Sequence, residues 1–436
     1  MNKYKSFLYR FISTIFIFIF LFPNLSVVNA KTALPELNSE GVALLDGDTG
    51  EVLYEKNGEK QFFPASTTKV LTALIVLENS KLSDIVTIGK NPPFADGSSI
   101  GLKEGEKYSV EDLLLGLMLE SGNDCAEALA EHVSGSIDNF VKLMNKRAKE
   151  LGCKNSNFKN PSGLPDEEHL TTPIDLALIM REANKNKTFV EISRTTSKKL
   201  PPSNLDGYER YVNNHNYILL ENSKYYYPYS VASKKGYTVA ANFTNVISAR
   251  KDNLNLVASF LNGEGINEVY DDVAKIFNYG FDSFSKVKLY SEGDNVGSFK
   301  IDSETSIPLI ASKDISTIVD IDEKNNITPI LEYKIPVGFE KKSIKIGDII
   351  ASSKIIVNNK EIDTMDLVSG KDREYNSQIA FNKFWNKNKS TIILIVSFTL
   401  LFIIYIRILI LRKKRRRQHE ARMRKLTNGR YKGRYK

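Results

Sequence analysis

Ser66 and Lys69 stand three residues apart, just before an apolar stretch that continues to Leu77. On a helix this spacing puts the hydroxyl and the amine on one face, within hydrogen-bond reach. Burial among aliphatic side chains lowers the pKa of a lysine, because a low dielectric disfavours the ammonium form. The neutral amine can then accept the serine proton, so the pair is a candidate nucleophile and base. Pro64 predicts a helix start that leaves Ser66 in the first turn, where unpaired N–H groups favour negative charge.

Two further motifs carry polar groups suited to the same chemistry. Ser121 and Asn123 lie in a polar turn between two predicted helices, where they can direct a hydroxyl and an amide into a cleft. Lys234 opens a predicted strand. Each motif also has an ordinary interpretation, because Thr195–Lys198 and Ser285–Lys288 repeat the serine–lysine spacing and polar turns commonly join helices.

The segments around these motifs predict a mixture of strands and helices. Residues 46–50 tolerate positive φ and join two short apolar strands into a hairpin. Apolar residues at helical spacing follow, then an extended region and a closing helix. The predicted strands are Gly41–Leu45, Glu51–Tyr54, an extended stretch that Ser233–Val239 opens and Asn245–Ser248 ends, and Leu254–Phe260, with two strands and a turn expected after residue 232. The predicted helices after that of Lys69 are Val110–Leu119, Cys125–Val133, 139–152, Pro173–Ala183 and Val269–Phe277.

Two apolar segments predict where the protein resides. Residues 1–30 have the cations, apolar run and small residues of a secretory signal, with an uncleaved anchor as the alternative. Residues 390–411 are long enough to span a bilayer, and a basic tail follows at 412–436. Because positive charge stays on the cytoplasmic side, we predict a single-pass cell-membrane protein with its folded part outside and its C-terminus in the cytoplasm.

The charge balance does not indicate a nucleic-acid partner. The chain has 436 residues and a net charge of +8, but the tail after residue 411 holds 13 Lys or Arg and one Glu. The exported residues are therefore net acidic. We interpret the tail as a topology determinant that can also contact anionic lipid headgroups.

The pattern changes at Phe284. Short strands of period two predict a small all-β domain over 284–369, after a first domain over 31–283 that contains all three motifs. Residues 370–389 are interpreted as a stalk whose aromatic side chains suit a membrane interface. The strands predicted in the second domain are Val287–Tyr290, Val296–Ile301, Ile315–Ile321, Ile330–Ile335 and Lys354–Val357.

Cysteines and histidines do not indicate a metal or a cofactor. Cys125 and Cys153 could pair in an exported chain or be small buried residues. The four histidines are scattered, and neither Cys-x-x-Cys nor His-Glu-x-x-His occurs. His215 is interpreted as a polar loop residue, since no serine–aspartate pattern accompanies it.

Taken in order, Ser-x-x-Lys, Ser-Gly-Asn and Lys-x-Gly resemble the signature of penicillin-recognising serine enzymes. The flanking residues resemble more closely the low-molecular-mass penicillin-binding proteins, the D-alanyl-D-alanine carboxypeptidases, over about residues 33–370. This resemblance implies a transpeptidase/β-lactamase-like α/β (α+β) domain, an antiparallel sheet flanked by helices, followed by the small β domain and the C-terminal transmembrane helix. The matching phrases are Pro64–Lys69, Ser121–Asp124, Asn160–Leu164, His169 with Thr171 and Thr172, and Gly236–Thr238.

The resemblance also implies a reaction and its residues. Ser66 attacks the carbonyl between the two terminal D-alanines of a peptidoglycan stem peptide, and penicillin traps the same serine. Lys69 takes the serine proton, and N–H groups of Ser66 and Tyr237 hold the oxyanion. Asn123 fixes the substrate amide or Lys69. The implied catalytic residues are Ser66, Lys69 and Ser121, and the implied substrate-binding residues are Asn123, Lys234, Lys235, Gly236, Tyr237 and Thr238.

Two positions depart from the family pattern. Lys235 stands where the family has a Thr or Ser that contacts the substrate carboxylate, and Glu268-Val269 stands where members often carry an arginine. One hypothesis is that the Lys235 ammonium replaces both contacts as a point charge. The alternative is that Lys235 points outward to solvent, which alternation along a strand permits.

Two other functions fit parts of the pattern. A β-lactamase shares the fold, but the Glu-x-x-Leu-Asn phrase of class A enzymes does not occur between Asn123 and Lys234. A catalytically impaired protein that binds peptidoglycan or senses β-lactams would account for Lys235 and for the absent arginine. The function favoured by the resemblance is that of a serine carboxypeptidase in cell-wall organisation and cell shape.

Overall fold

The structure is a computed structural model that describes residues 33–301 and 305–431. The predicted signal at residues 1–30 lies outside this part of the chain. The chain divides into two compact units. The first comprises Met1–Leu289 with Ile315–Thr328, and the second comprises Tyr290–Asp314 with Pro329–Lys436.

A five-stranded antiparallel sheet is the centre of the first unit. Its strands lie in the order second, first, ninth, eighth, seventh along the chain. The first strand pairs with the ninth, far along the chain, and the seventh strand lies at one edge. The strands up to residue 263 are β1 (Gly41–Asp46), β2 (Val52–Lys56), β3 (Ile85–Thr87), β4 (Lys107–Ser109), β5 (Ser197–Lys199), β6 (Tyr211–Asn213), β7 (Ser230–Thr238), β8 (Asn242–Lys251) and β9 (Leu254–Gly263). Two further pairs, β3 with β4 and β5 with β6, form separate two-stranded sheets.

The two faces of this sheet pack into two different cores. Successive side chains of a strand point to opposite faces. In β1, Ala43 and Leu45 enter one core, whereas Val42 and Leu44 enter the other. Each face is therefore covered by helices, as predicted for an antiparallel sheet between helical layers.

Most of the helices match the segments predicted from apolar spacing. Val110–Leu119 and Pro173–Ala183 were predicted with the observed bounds, and their first turns are capped by Ser109 and Thr172. One short helix, Lys187–Arg194, was not predicted. The helices of the first unit are α1 (Lys69–Asn79), α2 (Val110–Leu119), α3 (Asn123–Ser134), α4 (Ile137–Glu150), α5 (Pro173–Ala183), α6 (Lys187–Arg194) and α7 (Ile266–Ser283).

The start of α1 differs from the prediction. Ala65–Thr68 forms a 3₁₀ turn, and the α-helix begins only at Lys69. Ser66 therefore lies before the helix rather than in its first α-turn. The hydroxyl and the amine still share one face, because side chains at i and i+3 eclipse in a 3₁₀ turn.

Two strands after α7 pair with each other, β10 (Phe284–Tyr290) with β13 (Ile315–Asp320). The second unit contains a five-stranded sheet in the order β11-β12-β16-β15-β14. Two of its strands were not predicted, because Pro308 interrupts one and the other is mostly polar. Its strands are β11 (Asn295–Lys300), β12 (Ser306–Ala311), β14 (Ile330–Tyr333), β15 (Ile349–Val357) and β16 (Lys360–Ser369).

A continuous helix, α8 (Ser377–Tyr431), closes the described chain. Its segment Phe381–Leu426 is long and apolar enough to cross a membrane, the one helix of the described residues that is. The predicted stalk is thus helical from Ser377 onward. Phe381 and Trp385 stack within it, with ring centroids 6.4 Å apart.

Of the two alternatives for the cysteines, the structure favours separate burial. Cys125 and Cys153 are both free and buried. Burial raises the pKa of each thiol, so neither is a reactive thiolate.

Candidate active site

A cleft of about 370 Å³ lies beside the C-terminal half of β7. Its volume is within the range of small-molecule sites. A larger cavity of about 490 Å³ near Arg181 and Arg250 contains none of the motif residues. The cleft is lined by Ser66, Ser98, Leu119, Glu120, Ser121, His215, Asn216, Tyr217, Lys234, Lys235, Gly236, Tyr237, Phe243 and Ile266.

The backbone around Ser66 is held in an unusual conformation. Ala65 has a φ of +49°, a region that few residues other than glycine adopt. Thr67 and Thr244 donate hydrogen bonds from their hydroxyls to the carbonyl of Pro64, at 2.6 and 3.0 Å. Such strain persists only where surrounding contacts enforce it, and it concentrates at functional sites.

The side-chain nitrogen of Lys69 has three close partners. Nζ lies 3.1 Å from Ser66 Oγ, 2.6 Å from Asn123 Oδ1 and 2.6 Å from the carbonyl of Ser162. The side-chain amide of Asn123 is oriented by its own donation to the carbonyl of Asp96, at 2.5 Å. Asn123 thus contacts Lys69, the second of its two predicted roles, and it does not line the cleft.

Burial controls the charge of Lys69. The residue has no exposed surface. Loss of hydration, and the like charge of Lys234 nearby, hold the pKa of Lys69 well below its ordinary range. A neutral amine has two N–H donors and one lone pair. Because Asn123 Oδ1 and the Ser162 carbonyl can only accept, the lone pair is left facing the Ser66 hydroxyl.

The loop that supplies the Ser162 carbonyl was quoted in the sequence but given no role. Asn160 Oδ1 accepts hydrogen bonds from the N–H groups of Ser162, Gly163 and Leu164. Gly163 has a φ of +88°, and a Cβ there would lie 1.8 Å from the carbonyl oxygen of Ala65. Only glycine fits, so the loop can pack against the turn of Ser66.

Ser121 and Lys234 meet on the other side of the cleft. Lys234 Nζ donates to Ser121 Oγ at 3.0 Å and to the carbonyl of Lys235 at 3.1 Å. Burial, assisted by the charge of Lys235, lowers the pKa of Lys234 to about 7. Ser121 itself has a φ of +62°, a second unusual backbone conformation at this site.

Lys235 lines the cleft, whereas the second interpretation from the sequence predicted that its side chain would point outward to solvent. Its backbone N–H donates to Asn216 Oδ1 at 3.0 Å. Its ammonium lies 5.1 Å from the centre of the Tyr217 ring, a cation–π distance. Burial lowers the pKa of Lys235 from its ordinary value.

The remaining predicted binding residues divide into two groups. Gly236 and Tyr237 line the cleft, and the Tyr237 ring packs on Phe243 with centroids 4.6 Å apart. Thr238 does not line it. Its hydroxyl instead accepts a hydrogen bond from the N–H of Ala241, at 3.0 Å, in the turn between β7 and β8.

His169 holds the 3₁₀ turn of Ser66 in place through Thr68. Its Nδ1 accepts from the N–H of Lys159 at 3.1 Å, so Nε2 carries the proton and donates to Thr68 Oγ1 at 3.0 Å. Burial lowers the pKa of His169 to about 4. A neutral imidazole therefore holds Thr68, the residue that directly precedes Lys69.

Two ionisable residues of the cleft were not assigned to the site from sequence. Glu120 ends α2, and its Oε2 lies 2.9 Å from His215 Nε2. The only available signal for Glu120 was its position directly before Ser121. His215 remains a loop residue, as predicted, but the loop forms part of the cleft wall.

The chain is similar to several known D-alanyl-D-alanine carboxypeptidases. D-alanyl-D-alanine carboxypeptidase DacF of Bacillus subtilis is 33% identical over 343 residues, covering 77% of this chain and 82% of DacF. The D-alanyl-D-alanine carboxypeptidase of Mycobacterium tuberculosis superposes with a TM-score of 0.54 and 31% identity, over 58% of this chain and 94% of that one. Penicillin-binding protein 5 of Haemophilus influenzae gives a TM-score of 0.65 at 24% identity, over 78% of this chain and 99% of that one, and supports the fold alone.

Two families match consecutive parts of the chain. Residues 284–375 match the penicillin-binding protein 5 C-terminal domain, in agreement with the predicted β domain. Residues 28–265, more than half of the chain, match the peptidase S11 family, D-alanyl-D-alanine carboxypeptidase. The resemblance and fold class inferred from the three motifs are thereby confirmed, and the chain belongs to the D-alanyl-D-alanine carboxypeptidase family of serine peptidases.

Proposed function

We propose that this enzyme removes the terminal D-alanine from peptidoglycan stem peptides through an acyl-enzyme on Ser66. The observation that carries the proposal is the set of partners around Lys69. Two oxygen acceptors occupy its N–H donors, and the serine hydroxyl lies 3.1 Å from its nitrogen. This is the arrangement of a nucleophile with its base.

In acylation, the Ser66 proton passes to Lys69 and Oγ bonds to the carbonyl carbon of the penultimate D-alanine. Backbone N–H groups of Ser66 and Tyr237 stabilise the oxyanion. The C–N bond then breaks. The leaving amine of D-alanine receives a proton from Ser121, which Lys234 replenishes across their 3.0 Å contact. Lys69 ends this half-reaction protonated and Lys234 neutral.

Hydrolysis of the ester reverses both changes. A water molecule attacks the acyl carbon and gives its proton through Ser121 to Lys234. Lys69 returns its proton to Ser66 Oγ as the ester bond breaks. Both lysines regain their starting charges, so one cycle consumes one water and releases one D-alanine and one shortened peptide.

The terminal carboxylate of the substrate pairs with the Lys235 ammonium. Lys235 lines the cleft beside Gly236 and supplies a point charge where the family pattern has a hydroxyl. β-Lactams act as inhibitors because their strained amide presents the same bond to Ser66.

The apolar helix α8 anchors the enzyme to the cell membrane. We place the first unit on the outer face and the C-terminus in the cytoplasm, because Arg412–Arg417 are cationic without interruption. A cysteine placed at Asn428, labelled by an impermeant maleimide only after cell lysis, would support this orientation.

The test of the reaction is D-alanine release from diacetyl-L-Lys-D-Ala-D-Ala by the full chain in detergent, with Ser66→Ala as the control. We expect release by the wild type and none above background by the variant. Mass spectrometry after benzylpenicillin should show one adduct on Ser66. Acylation without D-alanine release would instead support the β-lactam-sensing alternative, and neither acylation nor release would refute the assignment.

A further inference from the structure

The cleft carries ionisable groups of both signs. Lys234 and Lys235 contribute positive groups from β7, and Glu120 is the only carboxylate among the cleft-lining residues of the described chain. The mechanism uses both lysines and leaves Glu120 without a role. Glu120 belongs to a different element from the lysines, the end of α2, and forms no ion pair with either of them in the described structure.

The surroundings of Glu120 orient its carboxylate and favour a cation beside it. Its Oε1 accepts a hydrogen bond from the backbone N–H of Asn213, at 2.6 Å, and its Oε2 contacts His215 Nε2. A backbone amide is neutral and orients the carboxylate without compensating its charge. The carboxylate also stands at the C-terminal end of a ten-residue helix, where the unpaired carbonyls add negative potential.

Glu120 adjoins the reacting groups and is open to the cleft. It directly precedes Ser121, whose hydroxyl contacts Lys234. Its side chain keeps 23% of its surface exposed, so a substrate group can approach it. Leu119 and Ile266 line the same cleft and offer apolar surface to an aliphatic chain.

From this arrangement we propose that Glu120 forms a subsite for an alkylammonium group, the free side-chain amine of the residue that precedes the two D-alanines. The inference rests on the proposed function and specifies its substrate class: stem peptides with an unmodified diamino acid. The terminal carboxylate then pairs with Lys235 and the ammonium with Glu120. A substrate that carries both charges matches the cleft better than one whose amine is acylated.

The experiment compares two peptides in the full-length enzyme: Nα-acetyl-L-Lys-D-Ala-D-Ala, with its side-chain amine free, and the diacetylated form. Near neutral pH the free amine is protonated. We expect kcat/KM for the free-amine peptide to be about two- to fivefold higher, the range of a partly exposed ion pair. The ratio of kcat/KM for the free-amine peptide to that for the diacetylated peptide should fall towards one in Glu120→Gln and below one in Glu120→Lys. Added salt should also reduce the wild-type ratio.

Glu111→Gln is the matched control, because Glu111 is an exposed carboxylate at the opposite end of the same helix. It should keep the wild-type ratio. Acylation of Glu120→Gln by benzylpenicillin reports that its cleft is intact. A wild-type ratio of one, or a ratio unchanged in Glu120→Gln, overturns the inference. Equal cleavage of both peptides leaves the proposed function standing, whereas cleavage of neither, without penicillin acylation, refutes the proposed function itself.

Discussion

Gly236 lies so close to Ser66 that a Cβ atom on it would stand 2.7 Å from the Ser66 backbone nitrogen. That nitrogen is one of the two proposed oxyanion donors. We predict that Gly236→Ala displaces it and lowers kcat/KM for D-alanine release by about 10²-fold or more, the usual effect of losing one such donor. Benzylpenicillin acylation should slow in parallel.

Gly89→Ala serves as the control for this glycine substitution. A Cβ there would approach closely the carboxylate end of Glu131, a flexible side chain outside the cleft, and would otherwise make ordinary van der Waals contact. Near-wild-type activity is expected. If Gly236→Ala were as active as this control, the Ser66 nitrogen would not be an essential donor.

Replacement of Lys69 by arginine should abolish acylation. Lys69 works as a base only because burial keeps its pKa well below the ordinary value. Arginine stays protonated in proteins and has no lone pair to offer. Stopped-flow acylation by a fluorescent penicillin measures the effect, and circular dichroism shows whether the variant is folded. Acylation at a rate within tenfold of wild type would contradict the assigned role.

The pH dependence of kcat/KM should follow the protonation of Lys234. The proposed mechanism needs this lysine protonated at the start, and its pKa is lowered to about 7. We therefore predict that kcat/KM falls as the pH rises through about 7. Since the charge of Lys235 contributes to this lowering, Lys235→Thr should move the fall to higher pH. An alkaline limb that does not move would exclude this coupling.

Lys235 should affect substrate binding more than turnover. If its ammonium holds the terminal carboxylate, Lys235→Ala raises KM for the diacetylated peptide sharply, because the point charge is lost. Lys235→Thr supplies the hydroxyl of the family pattern and should keep turnover within about tenfold of wild type. Steady-state kinetics of the three proteins provide the test. Equal KM values in all three would rule the role out.

His169 should make the fold sensitive to acid. Its pKa is about 4 in the folded protein and near 6.5 as the ordinary value, so the unfolded chain binds the proton first as pH falls. Stability is therefore lost between pH 6.5 and 4, by about 3 kcal/mol from this residue. Urea unfolding of His169→Asn should show a correspondingly smaller loss over that interval. A loss identical to wild type would exclude His169 as the source.

The parts of the fold predicted from sequence are those that depend on local periodicity. The apolar spacing of Val110–Leu119 and Pro173–Ala183 predicted those helices with the observed bounds. Short elements such as Lys187–Arg194, and strands containing Pro308 or mostly polar residues, were missed. In these, packing decides the conformation and local propensity does not.

The sequence by itself determined the pair of Ser66 and Lys69, because three residues of backbone suffice to bring a hydroxyl and an amine together. It also determined the apolar span in α8. Only the tertiary structure decided that Ser121 meets Lys234, 113 residues away, and that Ser162, 93 residues from Lys69, supplies a carbonyl. Such contacts depend on sheet register and helix packing, which no local pattern encodes. The same packing put Thr238 into a turn and Glu120 into the cleft.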